Sequence, residues 1–131
     1  MILLDTHVLI WWVSGVQPLS TKARRALNQA LRHGPARASA ISAMEITAAV
    51  RRGRLSLGVP VSQWLAKLRE LPDLLIEPVS MEIAELAGGF GEPVPGDPGD
   101  RIILATAQSL GCALVTADAR LRQAGLVQTV W

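Results

Sequence analysis

The sequence is poor in several features that define large classes of protein. Its single cysteine, Cys112, rules out an internal disulfide and a cysteine-based zinc site. Its longest apolar run, from Val8 to Val13, is far shorter than the roughly 20 residues needed to span a bilayer. An acidic residue, Asp5, stands where a signal peptide would carry positive charge. These absences predict a soluble, non-exported, cytoplasmic protein that makes no membrane contact.

The chain has the length and the apolar content of one domain. It has 131 residues, of which 50% are hydrophobic, and it shows no internal repeat or low-complexity tract. A chain of this size is long enough to bury a substantial core. We therefore predict a single domain over residues 1–131.

Charge is unevenly distributed, although the formal net charge is only +2. The stretch from Lys22 to Arg54 is rich in arginine and contains one acid, Glu45, whereas the stretch from Glu70 to Asp100 is acidic and contains no base. A basic stretch can follow a phosphate backbone, and an acidic one can supply carboxylates to a metal. The alternative interpretation is two solvated faces that attract each other.

Apolar patterning predicts short strands that alternate with helices. The predicted strands are residues 1–4, 36–40, 74–79, 113–116 and 126–131. The predicted helices are residues 6–13, a helix from Ser20 to the stop at Gly34-Pro35, residues 42–50, 60–71 and 80–88, residues 101–110, and a short helix after Asp118. Such alternation favours an α/β fold with a central, mainly parallel sheet covered by helices on both faces.

One charged segment lies at the start of the most apolar helix. Asp97 fits the N-cap position, Pro98 fits the first helical position, and Asp100 fits the third, near the positive end of the helix dipole. Capping alone is a sufficient explanation for this segment. Ser42 and Glu45 have the spacing of a capping box, which gives Glu45 a similar structural explanation.

Acids nevertheless recur where strands give way to helices. Asp5 follows the first strand, Asp118 follows the last apolar strand, and Glu45 and Asp100 lie in the first turns of helices. In a parallel α/β sheet these points share the edge beyond the carboxyl ends of the strands, where such folds bind ligands. Each acid taken singly is better explained as a cap, but four carboxylates in one cleft repel one another strongly unless a cation neutralises them.

The composition of this acid cluster indicates the type of ion. Carboxylates without histidine or cysteine partners select a hard cation, Mg²⁺ or Mn²⁺. Such an ion can polarise a phosphodiester and deliver hydroxide for in-line attack, while a second ion stabilises the leaving oxygen. His7 is close to Asp5, but a lone histidine in a first helical turn is more often structural than a ligand.

Four segments around these acids form an ordered set of motifs. They are residues 3–12 (LLDTHVLIWW), residues 42–46 (SAMEI), residues 97–107 (DPGDRIILATA) and residues 114–118 (LVTAD). In this order the set closely resembles the PIN-domain endoribonucleases, in particular the VapC-type toxins of bacterial toxin–antitoxin pairs. Each motif alone is weak evidence, whereas the four together are highly specific and cover nearly the whole chain.

The resemblance implies a PIN-like three-layer α/β/α sandwich and an acidic catalytic and metal-binding set with one orienting and one accessory residue. These residues are Asp5, Glu45, Asp100 and Asp118, with Thr116 orienting and Asp97 accessory. It also implies Mg²⁺-dependent cleavage of structured RNA such as tRNA or rRNA, homodimerisation, and inhibition by a cognate antitoxin whose tail occupies the cleft.

Two further expectations concern how the RNA is held. We expect the basic stretch to contact the RNA backbone through Arg24, Arg25, Arg51 and Arg52. The chain departs from the family at Pro95-Gly96, where the family often has a basic or histidine-containing pair.

Two other functions fit parts of the pattern. A phospho-accepting receiver or a related Mg²⁺-binding signalling module also gathers acids at strand ends, but it needs a lysine after the last central strand. The only lysines, Lys22 and Lys67, lie in early helices. A PIN fold that only binds RNA or protein would retain four mutually repelling acids without a metal, which is costly. The sequence therefore favours a metal-dependent nuclease.

Overall fold

The computed structural model describes residues 1–131 as five strands and seven helices. The strands are β1 (Ile2–Leu4), β2 (Ala36–Ser39), β3 (Leu74–Glu77), β4 (Ala113–Val115) and β5 (Thr129–Val130). The helices are α1 (Thr6–Ser14), α2 (Thr21–Leu31), α3 (Ile41–Arg51), α4 (Val61–Glu70), α5 (Met81–Gly89), α6 (Pro98–Leu110) and α7 (Ala119–Gln123). None of the helices combines the length and the apolar character that a membrane crossing requires.

The strands form one sheet in the order β3-β2-β1-β4-β5, and every neighbouring pair is parallel. The chain first builds outward from β1 to β3, then returns to the other side of β1 with β4 and β5. The order therefore reverses between β1 and β4, and in open parallel sheets a ligand crevice forms beyond the carboxyl ends of the strands at such a reversal. The predicted parallel sheet is confirmed.

Both faces of the sheet are covered by helices. Ile2 and Leu4 pack with α1, α2, α3 and α4 in one core cluster, whereas Leu3 packs with α6 and α7 in a second. This alternation follows from the period of two along a strand. All three side chains of β1 are buried, as are Leu114 and Val115 of β4, so the two strands that flank the reversal lie in the middle of the core. The three-layer α/β/α arrangement is thus confirmed.

The predicted capping box at Ser42 and Glu45 is wrong. α3 begins at Ile41 with Ala40 in the N-cap position, so Glu45 lies in the second turn of the helix. The buried Ser42 hydroxyl lies 2.8 Å from Thr6 Oγ1, and the Thr6 hydroxyl donates to Glu45 Oε1 at 2.6 Å. Both side chains of α3 are therefore held by the residue that starts α1, not by their own helix terminus.

The last predicted strand, residues 126–131, is present at the sheet edge but is shorter than predicted. Only Thr129–Val130 pairs with the sheet. Leu126 and Val127 instead pack against the second core cluster, and the Trp131 ring lies 5.6 Å from the Trp11 ring, centroid to centroid. The apolar residues of this segment are partly buried by side-chain packing, which needs no strand hydrogen bonds.

Candidate functional site

A cleft of about 490 Å³ opens at the carboxyl edge of the sheet, where the strand order reverses. It is lined by all five acids that the sequence singled out: Asp5, Glu45, Asp97, Asp100 and Asp118. The structure therefore brings together residues that lie up to 113 positions apart in the sequence, the distance from Asp5 to Asp118. A wider concavity between α5 and α6 holds only two exposed acids, Glu82 and Glu85.

Asp5 lies at the centre of this edge because it follows β1 directly. Its backbone N–H donates to Val115 O at 3.0 Å, which extends the β1–β4 pairing by one residue. Its side chain accepts from Thr6 N at 2.7 Å and from the Thr116 hydroxyl at 2.7 Å. Thr116 Oγ1 in turn accepts from Asp118 N at 3.0 Å. One buried hydroxyl thus fixes the positions of Asp5 and of the turn that carries Asp118.

The start of α6 supplies the next pair of acids. Asp97 is the N-cap residue and its Oδ1 accepts from Asp100 N at 3.1 Å, with Pro98 at the first helical position, as the sequence predicts. Asp97 is exposed, whereas Asp100 is 9% exposed. The capping role therefore belongs to Asp97, and the buried Asp100 side chain is left to face the cleft.

Glu45 reaches α6 because Gly99 has no side chain. A Cβ built on Gly99 would lie 2.7 Å from Glu45 Oε2, closer than real Cβ atoms approach other atoms, and 3.2 Å from Asp97 Oδ1, which is a tight contact. The helix N-terminus can thus receive the carboxylate of a neighbouring helix. Carboxylate oxygens of Glu45, Asp97 and Asp100 lie within 4.8 Å of one another.

Arg120 forms ion pairs with two of the acids of the cleft. Its Nη2 donates to Asp118 Oδ2 at 2.8 Å and to Asp100 Oδ2 at 3.2 Å, and its Nε donates to Asp118 Oδ1 at 3.2 Å. The guanidinium thus binds Asp118 with two nitrogens and Asp100 with one. Its side chain is 63% exposed, so this contact lies at the mouth of the cleft.

Burial and mutual repulsion raise the pKa values of three of these acids. Burial is the main cause for Asp5 and Glu45, and for Asp100 burial followed by the nearby Asp97 charge raises the pKa to about 6. The pKa of Asp118 is lowered, chiefly because its carboxylate accepts hydrogen bonds from Arg120. A raised carboxylate pKa means that the charged form is disfavoured, and a bound cation would relieve that cost.

The donor set fits a hard divalent cation. The three mutually close carboxylates, Glu45, Asp97 and Asp100, offer only oxygen ligands, and Asp5 and Asp118 line the same cleft. Mg²⁺ is bound in proteins through a few carboxylates, with water and phosphate oxygens filling the remaining positions. His7 is exposed on the cleft wall, with its ring 5.9 Å from that of Trp11, and it is not part of the close carboxylate group.

The predicted RNA-binding arginines lie outside the cleft. Arg24, Arg25, Arg51 and Arg52 are exposed, and none of them lines it. The basic residue of this stretch that does line the cleft is Arg54, which the sequence analysis did not select. Gly53, with φ of 72°, reverses the chain after α3, and Arg54 N then donates to Ala49 O at 2.9 Å.

Sequence reasoning also missed the supporting residues Thr6, Gly99 and Arg120. Thr6 and Gly99 lie directly beside predicted acids, in the segments DTH and PGD, and a small or hydroxyl residue next to an acid is a usable signal for such a role. Arg120 follows Asp118 by two positions, but its contact with Asp100 depends on how α6 packs beside α7. Its role is therefore visible only in the folded structure.

Comparison with known proteins gives consistent results. The family model for the PIN domain matches residues 2–126. Ribonuclease VapC22 of Mycobacterium tuberculosis is 38% identical to this chain over 122 residues, which cover 92% of this chain and 89% of that protein. A toxin–antitoxin complex from Klebsiella pneumoniae contains a chain of 27% identity with a TM-score of 0.65, covering 100% of this chain and 97% of that one.

DNA-bound VapBC from Salmonella typhimurium is more distant, at 20% identity over 98% of this chain and 95% of that one, and its TM-score of 0.67 supports the fold. The family match spans most of the chain, and the relative is similar over nearly the whole length of both proteins. The chain therefore belongs to the PIN domain family, within its VapC group.

Proposed function

We propose that this protein is a single PIN domain that acts as a Mg²⁺-dependent endoribonuclease, and that it is the toxin of a toxin–antitoxin pair. The observation that carries the proposal is the convergence of Asp5, Glu45, Asp97, Asp100 and Asp118 in one cleft. The carboxylates of Glu45, Asp97 and Asp100 lie close enough to share an ion. The similarity to Ribonuclease VapC22 supports RNA as the substrate.

The acids would hold Mg²⁺, with Mn²⁺ as an alternative, on oxygen ligands alone. Asp5, Glu45, Asp100 and Asp118 are the proposed catalytic and metal-binding residues, with Asp97 accessory. The bound cation would supply Lewis-acid activation of the scissile phosphate and of the attacking water.

The remaining residues of the site position these acids and the RNA. Thr116 holds Asp5 through a 2.7 Å hydrogen bond, and Thr6 holds Glu45 at 2.6 Å, so neither carboxylate has to be ordered when the substrate arrives. Arg54 lines the acidic cleft and offers a positive charge to an RNA phosphate. His7, exposed on the same wall, offers a ring on which a base can stack.

The proposal extends to the partners of this protein and to its location. We propose a structured RNA, tRNA or rRNA, as substrate, a cognate antitoxin as inhibitor, a homodimer as the assembled form, and the cytoplasm as the site of action. The Klebsiella pneumoniae neighbour is a toxin–antitoxin complex, which supports the antitoxin.

A receiver-like signalling module is less well supported. Such a module needs a lysine near the acids, and the two lysines lie on α2 and α4, with neither lining the cleft. A non-catalytic PIN fold is disfavoured because the charged forms of Asp5, Glu45 and Asp100 remain disfavoured by burial, a cost that a bound metal ion would relieve.

The test is cleavage of total tRNA and rRNA by the purified protein with Mg²⁺, with Mn²⁺ and with excess EDTA. We expect cleavage with either metal, loss of cleavage in EDTA and recovery when Mg²⁺ is restored. The Asp5→Asn variant, purified in parallel, should be inactive and thereby controls for contaminating nucleases. Undiminished cleavage in EDTA, or equal cleavage by the variant, would exclude the proposed metal-dependent activity.

The identity of the RNA can be found in cells. A brief pulse of expression, followed by sequencing of RNA fragment ends, should give ends at one or a few positions in folded RNA that are absent with Asp5→Asn. Ends scattered over all transcripts would contradict a structured substrate.

A further inference from the structure

One cationic side chain already lies among the acids of the cleft. Arg120 Nη2 bridges Asp118 Oδ2 at 2.8 Å and Asp100 Oδ2 at 3.2 Å. Its Nε contacts Asp118 Oδ1 at 3.2 Å, so both oxygens of Asp118 are bound by one guanidinium. A two-nitrogen contact with a carboxylate is the strongest form of this pairing.

Both carboxylates are among those that the proposed metal site would use. Asp100 belongs to the close group of three carboxylates, and Asp118 is among the proposed ligands. An oxygen that accepts a charge-assisted hydrogen bond has a lone pair engaged, and the guanidinium charge repels a second cation at short range. Arg120 and a divalent ion therefore compete for the same two carboxylates.

We propose that Arg120 is a displaceable internal counter-ion, which neutralises Asp100 and Asp118 in the metal-free protein and must leave them when the divalent cation binds. Arg120 thereby lowers the affinity of the site for its metal. This inference rests on the proposed function, since it concerns the same metal site.

The position of Arg120 allows it to leave. Its side chain is 63% exposed, compared with 13% for Asp100 and 27% for Asp118, so most of it is already in solvent and is not held by packing. Arg120 also borders a second groove of about 330 Å³, which is lined on its other side by Pro93, Pro95 and Gly96. This groove offers space beside the acids for a guanidinium that has left them.

The competing explanation is that Arg120 is a fixed part of the site that contacts the RNA and does not oppose the metal. In that case, replacing Arg120 weakens RNA binding, and the affinity of the protein for its metal either stays the same or falls. Metal binding measured without RNA separates the two explanations.

The experiment is a calorimetric titration of Mn²⁺ into the RNA-free, metal-stripped protein. The variants are the unsubstituted protein, Arg120→Lys, Arg120→Gln and the matched control Arg122→Gln. Arg122 lies on the same helix, is exposed and contacts none of the acids, so this control removes an equal charge outside the cluster.

We expect Arg120→Gln to bind Mn²⁺ roughly 5- to 20-fold more tightly, because two ion pairs and one repelling charge are removed. Arg120→Lys should lie between Arg120→Gln and the unsubstituted protein, because an ammonium keeps the charge but cannot bind both oxygens of Asp118 while bridging to Asp100. Arg122→Gln should match the unsubstituted protein. In EDTA, Arg120→Gln should melt at a lower temperature than Arg122→Gln and should gain more from added Mn²⁺.

Equal or weaker Mn²⁺ binding by Arg120→Gln, with binding intact in the unsubstituted protein, would overturn this inference and leave the metal site standing. Failure of every folded variant to bind Mn²⁺ would overturn the metal site itself, and the inference with it.

Discussion

Asp97 and Asp100 lie one turn apart at the start of α6, yet their surroundings differ. Asp97 is exposed and accepts the Asp100 N–H, whereas Asp100 is buried, and its pKa is raised to about 6 by burial and by the Asp97 charge. Asp97 satisfies a helix terminus, which stabilises the fold. The buried Asp100 side chain costs the folded state the least free energy when it is protonated or when a cation neutralises its charge.

This difference predicts a pH dependence of the metal-free protein. The unfolded chain releases the Asp100 proton near pH 3.8 and the folded protein near pH 6, so the folded state is favoured at low pH and loses that advantage as pH rises through about 6. In EDTA, lowering the pH from 7 to 5 should therefore increase the free energy of unfolding by about 1 kcal/mol. Denaturant titrations at both pH values measure it.

Two variants and one metal condition sharpen this test. Asp100→Asn should remove most of the increase and should be as stable as the unsubstituted protein at pH 7, or more stable. Asp97→Asn should keep only the part of the pH response that burial of Asp100 causes, because the Asp97 charge is gone, while its helix cap persists since asparagine caps about as well as aspartate. Saturating Mg²⁺ should flatten the response. A stability that is constant or lower at pH 5 in EDTA would contradict the assignment of Asp100.

Gly99 has a role that is specific to the metal site. In Gly99→Ala the new methyl group would lie 2.7 Å from Glu45 Oε2, so the Glu45 carboxylate has to move away from Asp97 and Asp100. We expect Mn²⁺ affinity to fall about 10-fold, as is typical when a residue that supports a metal ligand is altered. Stability in EDTA should stay the same or rise, because alanine favours a helix over glycine.

Gly96→Ala is the matched control for this change. A Cβ at Gly96 meets nothing within 4 Å, so Mn²⁺ affinity should not change. Calorimetry and thermal melts of both variants decide the matter. An unchanged Mn²⁺ affinity in Gly99→Ala would show that Glu45 is not needed beside α6.

At the scale of elements, α6 was predicted correctly because its signals are local. An N-cap acid, a proline at the first position and Gly111 at the C-cap, with φ of 64°, all act within one turn of the helix ends. The start of α3 was predicted wrongly because Ser42 and Glu45 satisfy a local pattern but are held by Thr6, 36 and 39 residues away. A local motif fails when a distant partner offers a better hydrogen bond.

Arg101 connects α6 to the loop in front of it. Its guanidinium donates to Ala87 O at 2.9 Å, to Pro95 O at 3.1 Å and to Phe90 O, and its charge lies 5.9 Å from the centroid of the Phe90 ring. These contacts fix the segment around Pro95-Gly96, just before Asp97. The loop is thus held by α6 itself.

We expect Arg101→Met to lower the free energy of unfolding by about 2 to 4 kcal/mol, because three backbone carbonyls lose a charged donor. Limited proteolysis should then cut between residues 90 and 97 before any other site. Arg122→Met, which removes an exposed arginine with no such contacts, should change stability by less than about 0.5 kcal/mol. Comparable stability of the two variants would contradict the role given to Arg101.

At the scale of the whole molecule, the sheet edge was predictable because its two central strands are short and apolar and each ends in a polar residue. β1 is followed by Asp5, and β4 by Thr116 and then Asp118 after one residue. The contact of Arg120 with Asp100 was not predictable, because it needs the packing of two helices and the direction of a long side chain. The position of Arg54 at the cleft could likewise not be predicted from the sequence, because it depends on the reversal of the chain direction at Gly53.

The basic stretch gives the last prediction, which concerns how RNA approaches the cleft. Arg24, Arg25, Arg51 and Arg52 are exposed but lie outside the cleft, whereas Arg54 lines it. Log affinity for RNA falls linearly with log salt concentration. If the RNA backbone extends over these residues, each lost phosphate contact should make this slope shallower by roughly 0.7 to 0.9.

We expect Arg54→Gln to weaken RNA binding and to make the slope shallower. Changing Arg24, Arg25, Arg51 and Arg52 together to glutamine should make the slope shallower still. Binding is measured by fluorescence anisotropy in an Asp5→Asn background, which prevents cleavage during the titration. Arg69→Gln is the control, because Arg69 is an exposed arginine on α4 beside a different groove. A slope that falls with Arg54→Gln alone would confine the RNA contact to the cleft. A slope that none of the variants changes would place the RNA elsewhere and leave the basic stretch to a protein partner.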